Sequence, residues 1–279
     1  MKTAPPCGGV LRRAALTLLA CLALSMAAPA WAQPPVTQPA IDQKGLEHLG
    51  LGQPTLDQLA RQFEAVALGH EHGPALGFVQ KWTDDVKIAL FAAPGWDMGP
   101  YLRQIVQHMR EIESLTGVRI KAATSLDTAT LRFGFYPTTD FAKMPGDPDD
   151  PYYREWVETS ACIALAIGAG DRSGRIMAGA IAIGTDISES QRRHCILEEL
   201  VQVMGLPNDA CHYRPSLFCE DDRVFAMTAA DRLLLRALYD SRLPAGTPKA
   251  EAIPIARKLL AEMLPDLAAP PQHHIAGMR

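Results

Sequence analysis

Two apolar runs separated by a short turn, with a helical segment close behind, constrain this chain more than any other feature. Ser160 to Gly168 (SACIALAIG) and Arg175 to Gly184 (RIMAGAIAIG) read as strands, and Ala169 to Gly174 between them reads as a hairpin turn. Ser188 to Met204 then reads as a helix, with Ser188 as N-cap and Gly205 ending it. Upstream, Val86 to Ala92 (VKIALFA) reads as a strand stopped by Pro94-Gly95. Gly99 to Thr116 carries Leu102, Ile105, Val106, Met109, Ile112 and Leu115 at helical spacing, with Gly117 as C-cap. Val118 to Ala122 and Ala129 to Tyr136 read as further strands, and residues 144–151 as a loop. Downstream come a helix from Thr228 to Tyr239, whose Thr228 and Asp231 suit a capping box, and a last helix from Ala250 to Leu264. Strands cluster before the later helices, which predicts an α+β fold on a mixed sheet.

The ends of the chain read differently. Lys2, Arg12 and Arg13 precede an apolar run from Ala14 to Met26, and Ala30-Trp31-Ala32 forms an A-x-A-like cleavage site. The run falls short of the ~20 apolar residues a membrane span needs. The expectation is therefore a cleaved signal peptide over 1–32 and a periplasmic or secreted protein; lipidation at Cys21 is the alternative. Residues 33–53 are a Pro/Gln-rich lead-in, 54–80 a helical segment, 81–245 the main domain, 246–265 a C-terminal helix and 266–279 a disordered tail. The net charge of -4, without a basic stripe, excludes a nucleic-acid interface. No G-x-S-x-G motif and no phosphate-cradling glycine loop occurs.

Four cysteines remain beyond the leader: Cys162, Cys195, Cys211 and Cys219. An even number in an exported chain implies two disulfides, with three possible pairings. Cys211–Cys219, closing a short loop, and Cys162–Cys195, joining a strand to a helix, are the favoured pair, each contributing ~2–4 kcal/mol. His194 beside Cys195 does not make a nucleophile, because adjacent helix residues face apart and a disulfide removes the thiol. Gly69-His70-Glu71-His72-Gly73 reads as a solvated loop, and His273-His274 lie in the tail.

The helix carries Leu197-Glu198-Glu199-Leu200-Val201-Gln202-Val203-Met204-Gly205, followed by Leu206, Pro207 and Asn208. This is the frame of the zinc-protease signature H-E-x-x-H-x-x-G-x-x-H, in which two histidines four apart share one helix face and the glutamate acts on the metal-bound water. Glu198, Gln202 and Asn208 stand at the three ligand positions, Glu199 at the general base and Gly205 at the turning glycine. Ser216-Leu217-Phe218 stands where metzincins carry the methionine turn beneath the site, and Met227 to Tyr239 resembles their closing helix. From Val86 to Tyr239 the chain thus resembles a matrixin-type metzincin with a degenerate motif. It is most similar to the bacterial family called domain of unknown function 2927, in EExxQxxGLPND, in the Ser-Leu-Phe turn and in Leu234 to Asp240. The resemblance implies a zincin-like fold with a twisted mixed sheet, a long helix, a site helix and a C-terminal helix.

A neutral amide is a poor zinc ligand, so the expectation is a metal-free, cofactor-free pseudoenzyme. Glu198, Gln202 and Asn208 offer oxygen only and suit calcium or magnesium better, and zinc would need an outside ligand. A buried carboxylate needs a partner, for which Arg192, Arg193, Arg214 and His212 are candidates. Three functions compete. In the first, the vestigial cleft holds an extended peptide or envelope protein by strand addition, with Arg175 to Gly184 as the edge. In the second, the chain is a hydrolase with Glu199 as base and a non-standard metal site. In the third, it is a structural envelope component with no site.

Overall fold

The computed structural model describes residues 53–70, 75–143, 149–219 and 221–267. The leader, nearly all of the lead-in, most of the 144–151 loop, Glu71 and His72, and the paired histidines of the tail lie outside these residues.

Helix α1 (Leu56–Leu68) starts in a capping box: the Gln58 amide donates to the Thr55 hydroxyl, and the Thr55 amide donates to the Gln58 side chain. Strands β1 (Lys81–Trp82) and β2 (Val86–Ala92) follow, then α2 (Gly99–Thr116), which ends at Gly117 in the left-handed conformation that glycine adopts without penalty. Next come β3 (Ile120–Ala122), β4 (Leu131–Tyr136), α3 (Pro151–Thr159), β5 (Cys162–Gly168), β6 (Arg175–Gly184) and α4 (Glu189–Gln202). Helices α5 (Ala229–Tyr239) and α6 (Lys249–Met263) close the described chain.

The strands form one sheet in the order β1-β6-β4-β2-β3, with β5 also paired to β6. Every pairing is parallel except β5 with β6, the hairpin, where Cys162 faces Ile183. The architecture is therefore mixed α/β with a largely parallel sheet. Helix α2 supplies the crossover between parallel neighbours β2 and β3, the long connection that parallel pairing requires. The expected edge strand is corrected: β6 has β4 on one side and β5 on the other, and the outer strand is β5. Hairpin closure alone cannot say which arm pairs onward. Here β4 takes β6 over Gly179 to Gly184.

Helix α4 lies against β5, β6 and α2. Small residues permit this: a Cβ on Gly179 would sit 2.8 Å from the Val203 side chain. The buried Arg192 ties the start of α4 to the end of β6, donating to the carbonyls of Gly184 at 3.0 Å, Thr185 at 2.9 Å and Ile187 at 2.6 Å, and to the Tyr101 hydroxyl at 2.8 Å. Both favoured disulfides are present: Cys162–Cys195 links β5 to α4, and Cys211–Cys219 closes the loop after α4. Helix α1 packs on α6, and both share one apolar core with the sheet, through Leu59 and Phe63 on one side and Leu259 and Leu260 on the other. The Lys81 ammonium sits inside the fold and donates to the carbonyls of Leu238 at 2.8 Å, in the last turn of α5, and of Leu243 at 2.6 Å, beyond its end. Burial lowers its pKa to about 8.

Candidate functional site

Residues four apart on a helix stack on one face, and α4 presents His194, Glu198 and Gln202 in such a row. All three are buried, as is Glu199. The row is knit by polar contacts. His194 Nε2 lies 3.4 Å from Glu198 Oε2, and His194 Nδ1 lies 2.9 Å from the Val224 carbonyl oxygen. Gln202 Nε2 donates to Asp209 Oδ1 at 2.9 Å. Burial pulls the His194 pKa down, but the hydrogen bond and charge of Glu198 and the Val224 carbonyl outweigh it, so the net shift is upward.

The row opens onto two cavities along the outer strand. The larger, about 380 Å³, is lined by Ser160 to Cys162 of the strand's entry, by Glu198, Glu199 and Gln202 of α4, and by Asp209 and Arg223. The smaller, about 160 Å³, is lined by Ala164 to Ala166 and Gly168 of β5, by Trp156, and by Gln202, Gly205 and Pro207. Gln202 borders both, so the recess follows β5 over its length.

The predicted residues do not all meet. Glu198, Glu199 and Gln202 come together in the larger cavity, whereas Asn208 turns away. Its amide donates to the Ala65 carbonyl at 3.0 Å, holding the end of α1, and lines a separate hollow beside Gly69 and His212. The next residue, Asp209, faces Gln202 in its place. The motif counts positions, but a loop decides which side chain turns inward. Gly205 adopts a φ of +109°, and a Cβ there would lie 2.1 Å from the Gln80 carbonyl oxygen.

The expected partners of the buried carboxylate are also corrected. Arg192 is spent on carbonyls, Arg193 pairs with Glu189, and Arg214 pairs with Asp221 and Asp222. His212 lines the separate hollow beside Asn208, apart from Glu198. Glu198 is met by His194, one turn back on the same helix. The i,i+4 spacing on a helix is the sequence signal for this pair, because residues four apart share one face.

The turn carrying Ser216 and Phe218 is fixed from below. Asp231, fully buried at the start of α5, accepts from the Ser216 hydroxyl at 2.8 Å, the Tyr213 hydroxyl at 2.9 Å, the Leu217 amide at 3.1 Å and the Thr228 amide at 3.0 Å. Burial raises the Asp231 pKa against the pull of these donors. Phe218, also buried, accepts at its carbonyl from Ala210, next to Asp209.

The donor set does not fit zinc. Cys162 and Cys195 border the cavity within 4.8 Å of a Glu198 oxygen, but they are joined to each other, and Gln202 contributes an amide whose nitrogen is turned to Asp209. The arrangement offers a polar floor beside an open strand edge. Among known proteins, the family described as protein of unknown function (DUF2927) matches residues 56–258. No curated protein matches the chain.

Proposed function

We propose that this chain, which belongs to the DUF2927 family, is a zincin-like protein that has given up metal catalysis and holds an extended peptide along β5. A metzincin descent is supported by the order of elements, by an antiparallel outer strand beside the motif helix, and by the Ser216–Phe218 turn anchored under that helix. A metal-free state is supported by the partners of the former ligand positions: Glu198 faces His194, Gln202 faces Asp209 and Asn208 faces α1. The two disulfides suit an oxidising compartment, and the leader-like N-terminus supports export into one. No helix among the described residues is long and apolar enough to cross a membrane.

The observation that carries the reading is the recess along β5. Among the described residues β5 pairs only with β6, so its other edge is available to a strand from a partner. Ala164 and Ala166 leave the smaller cavity beside that edge. Selection of a displayed peptide library on the purified protein should return extended sequences that bind. Ala166→Trp, filling the recess, should weaken them at least about tenfold. Unchanged binding by that variant would refute the site. Casein incubated with the protein should remain intact; cleavage abolished by Glu199→Gln would establish the hydrolase reading instead.

A further inference from the structure

A second, wider cavity lies away from β5, between α2, α4 and the start of α5. It measures about 810 Å³ and is bordered by Arg103, Gln107 and His108 of α2, Arg193 of α4, Phe225 and Arg232. Three arginines on one hollow are unexpected in a chain of net charge -4. The one acidic residue on the wall is Glu111, which pairs with Arg232.

Two of these arginines are held in place. Arg232 Nε lies 2.6 Å from Glu111. Arg193 is held by Glu189 at 2.7 Å, by Gln104 and by the face of Tyr101 at 5.4 Å. Each still exposes roughly two fifths of its side chain, at 40% and 38%. Arg103 is exposed and has no ion-pair partner among the described residues. The first turn of α2, at Gly99 and Pro100, also lines the hollow and adds the positive end of an 18-residue helix.

An independent observation points to a missing acceptor. His108 is only 4% exposed, yet neither ring nitrogen has a hydrogen-bond partner. An imidazole always carries at least one N–H, and leaving that donor buried and unpaired is costly. Its companions on the inner stripe of α2, Tyr101, Ile105 and Ile112, show what this position otherwise holds. Phe225, 49% exposed at the rim, supplies an apolar surface beside the charges.

We propose that this cavity binds a small organic polyanion, a molecule bearing at least two carboxylate or phosphate groups, through Arg103, Arg193 and Arg232. Arginine pairs with both groups through charge-assisted hydrogen bonds, and pre-positioned guanidinium groups lose little freedom on binding. His108 donates to the same ligand or to a water that the ligand orders.

Calorimetric titration at low ionic strength, with citrate in one arm and pyrophosphate in the other, tests this. At least one probe should bind at one site per chain, and the stronger arm identifies the source chemistry. Arg103→Glu should weaken that binding at least about tenfold, and His108→Phe should weaken it without unfolding the protein, as followed by circular dichroism. Arg154→Glu, the same charge change on an exposed residue of α3, should leave it unaltered. Absence of binding by both probes, or equal losses in Arg103→Glu and Arg154→Glu, would overturn the proposal.

Discussion

At the residue scale, the polar side chains of α4 and its surroundings act by satisfying one another. His194 gains from Glu198, so its folded pKa lies above the unfolded value of 6.5. A raised histidine contributes most below its unfolded pKa and loses that contribution as pH rises through the folded one. Replacing it with glutamine should therefore cost ~1–2 kcal/mol near pH 6, and the difference should shrink by pH 9 in urea denaturation. Asp231 is the stronger case. Asp231→Ala would strand four donors in the core, and a loss of ~3–5 kcal/mol is expected from the same measurement. Gly205→Ala would strain a φ of +109° and push a methyl into the Gln80 carbonyl, so its melting temperature should fall by several degrees or more.

At the scale of elements, the readable parts were those whose cause is local. The Thr228–Asp231 capping box and the Gly117 stop are set by neighbours three or four residues away, and both are in the structure. Helix α3 escapes the sequence reading because its apolar spacing at Tyr153, Trp156 and Val157 runs for only nine residues, directly after Asp149 and Asp150. Strand β1 spans two residues and exists through its pairing with Arg175 and Ile176, which no local pattern announces. The same limit explains the site. Glu198, Glu199 and Gln202 were legible because a helix fixes their spacing. Asn208 was misplaced because the loop after Gly205 answers to α1, whose Ala65 carbonyl takes its amide. The disulfide between β5 and α4 sets the width of the recess at its entry. Replacing Cys162 and Cys195 with serine should cost ~2–4 kcal/mol and speed hydrogen exchange at the start of β5.

Across the whole molecule, one apolar core runs from α1 through the sheet to α6, so the polar row of α4 rests on a continuous support. Such a platform suits a surface that binds a strand without reshaping itself. The family match spans α1 and most of α6 and agrees with that unity. The α5 end leans on Lys81, whose pKa near 8 marks the cost of its burial. A depressed lysine costs stability as pH falls through the window between its unfolded and folded values. Lys81→Met should therefore lose the carbonyl contacts but flatten the alkaline part of the stability profile.

Amide hydrogen exchange of Cys162 to Gly168, with and without a peptide selected on the protein, tests the central claim most directly. Slowing of at least about tenfold along β5, with the peptide recovered whole, is the result expected if the outer strand receives it. Unaltered exchange in β5 while the peptide is bound, or recovery of the peptide in fragments, would contradict the account.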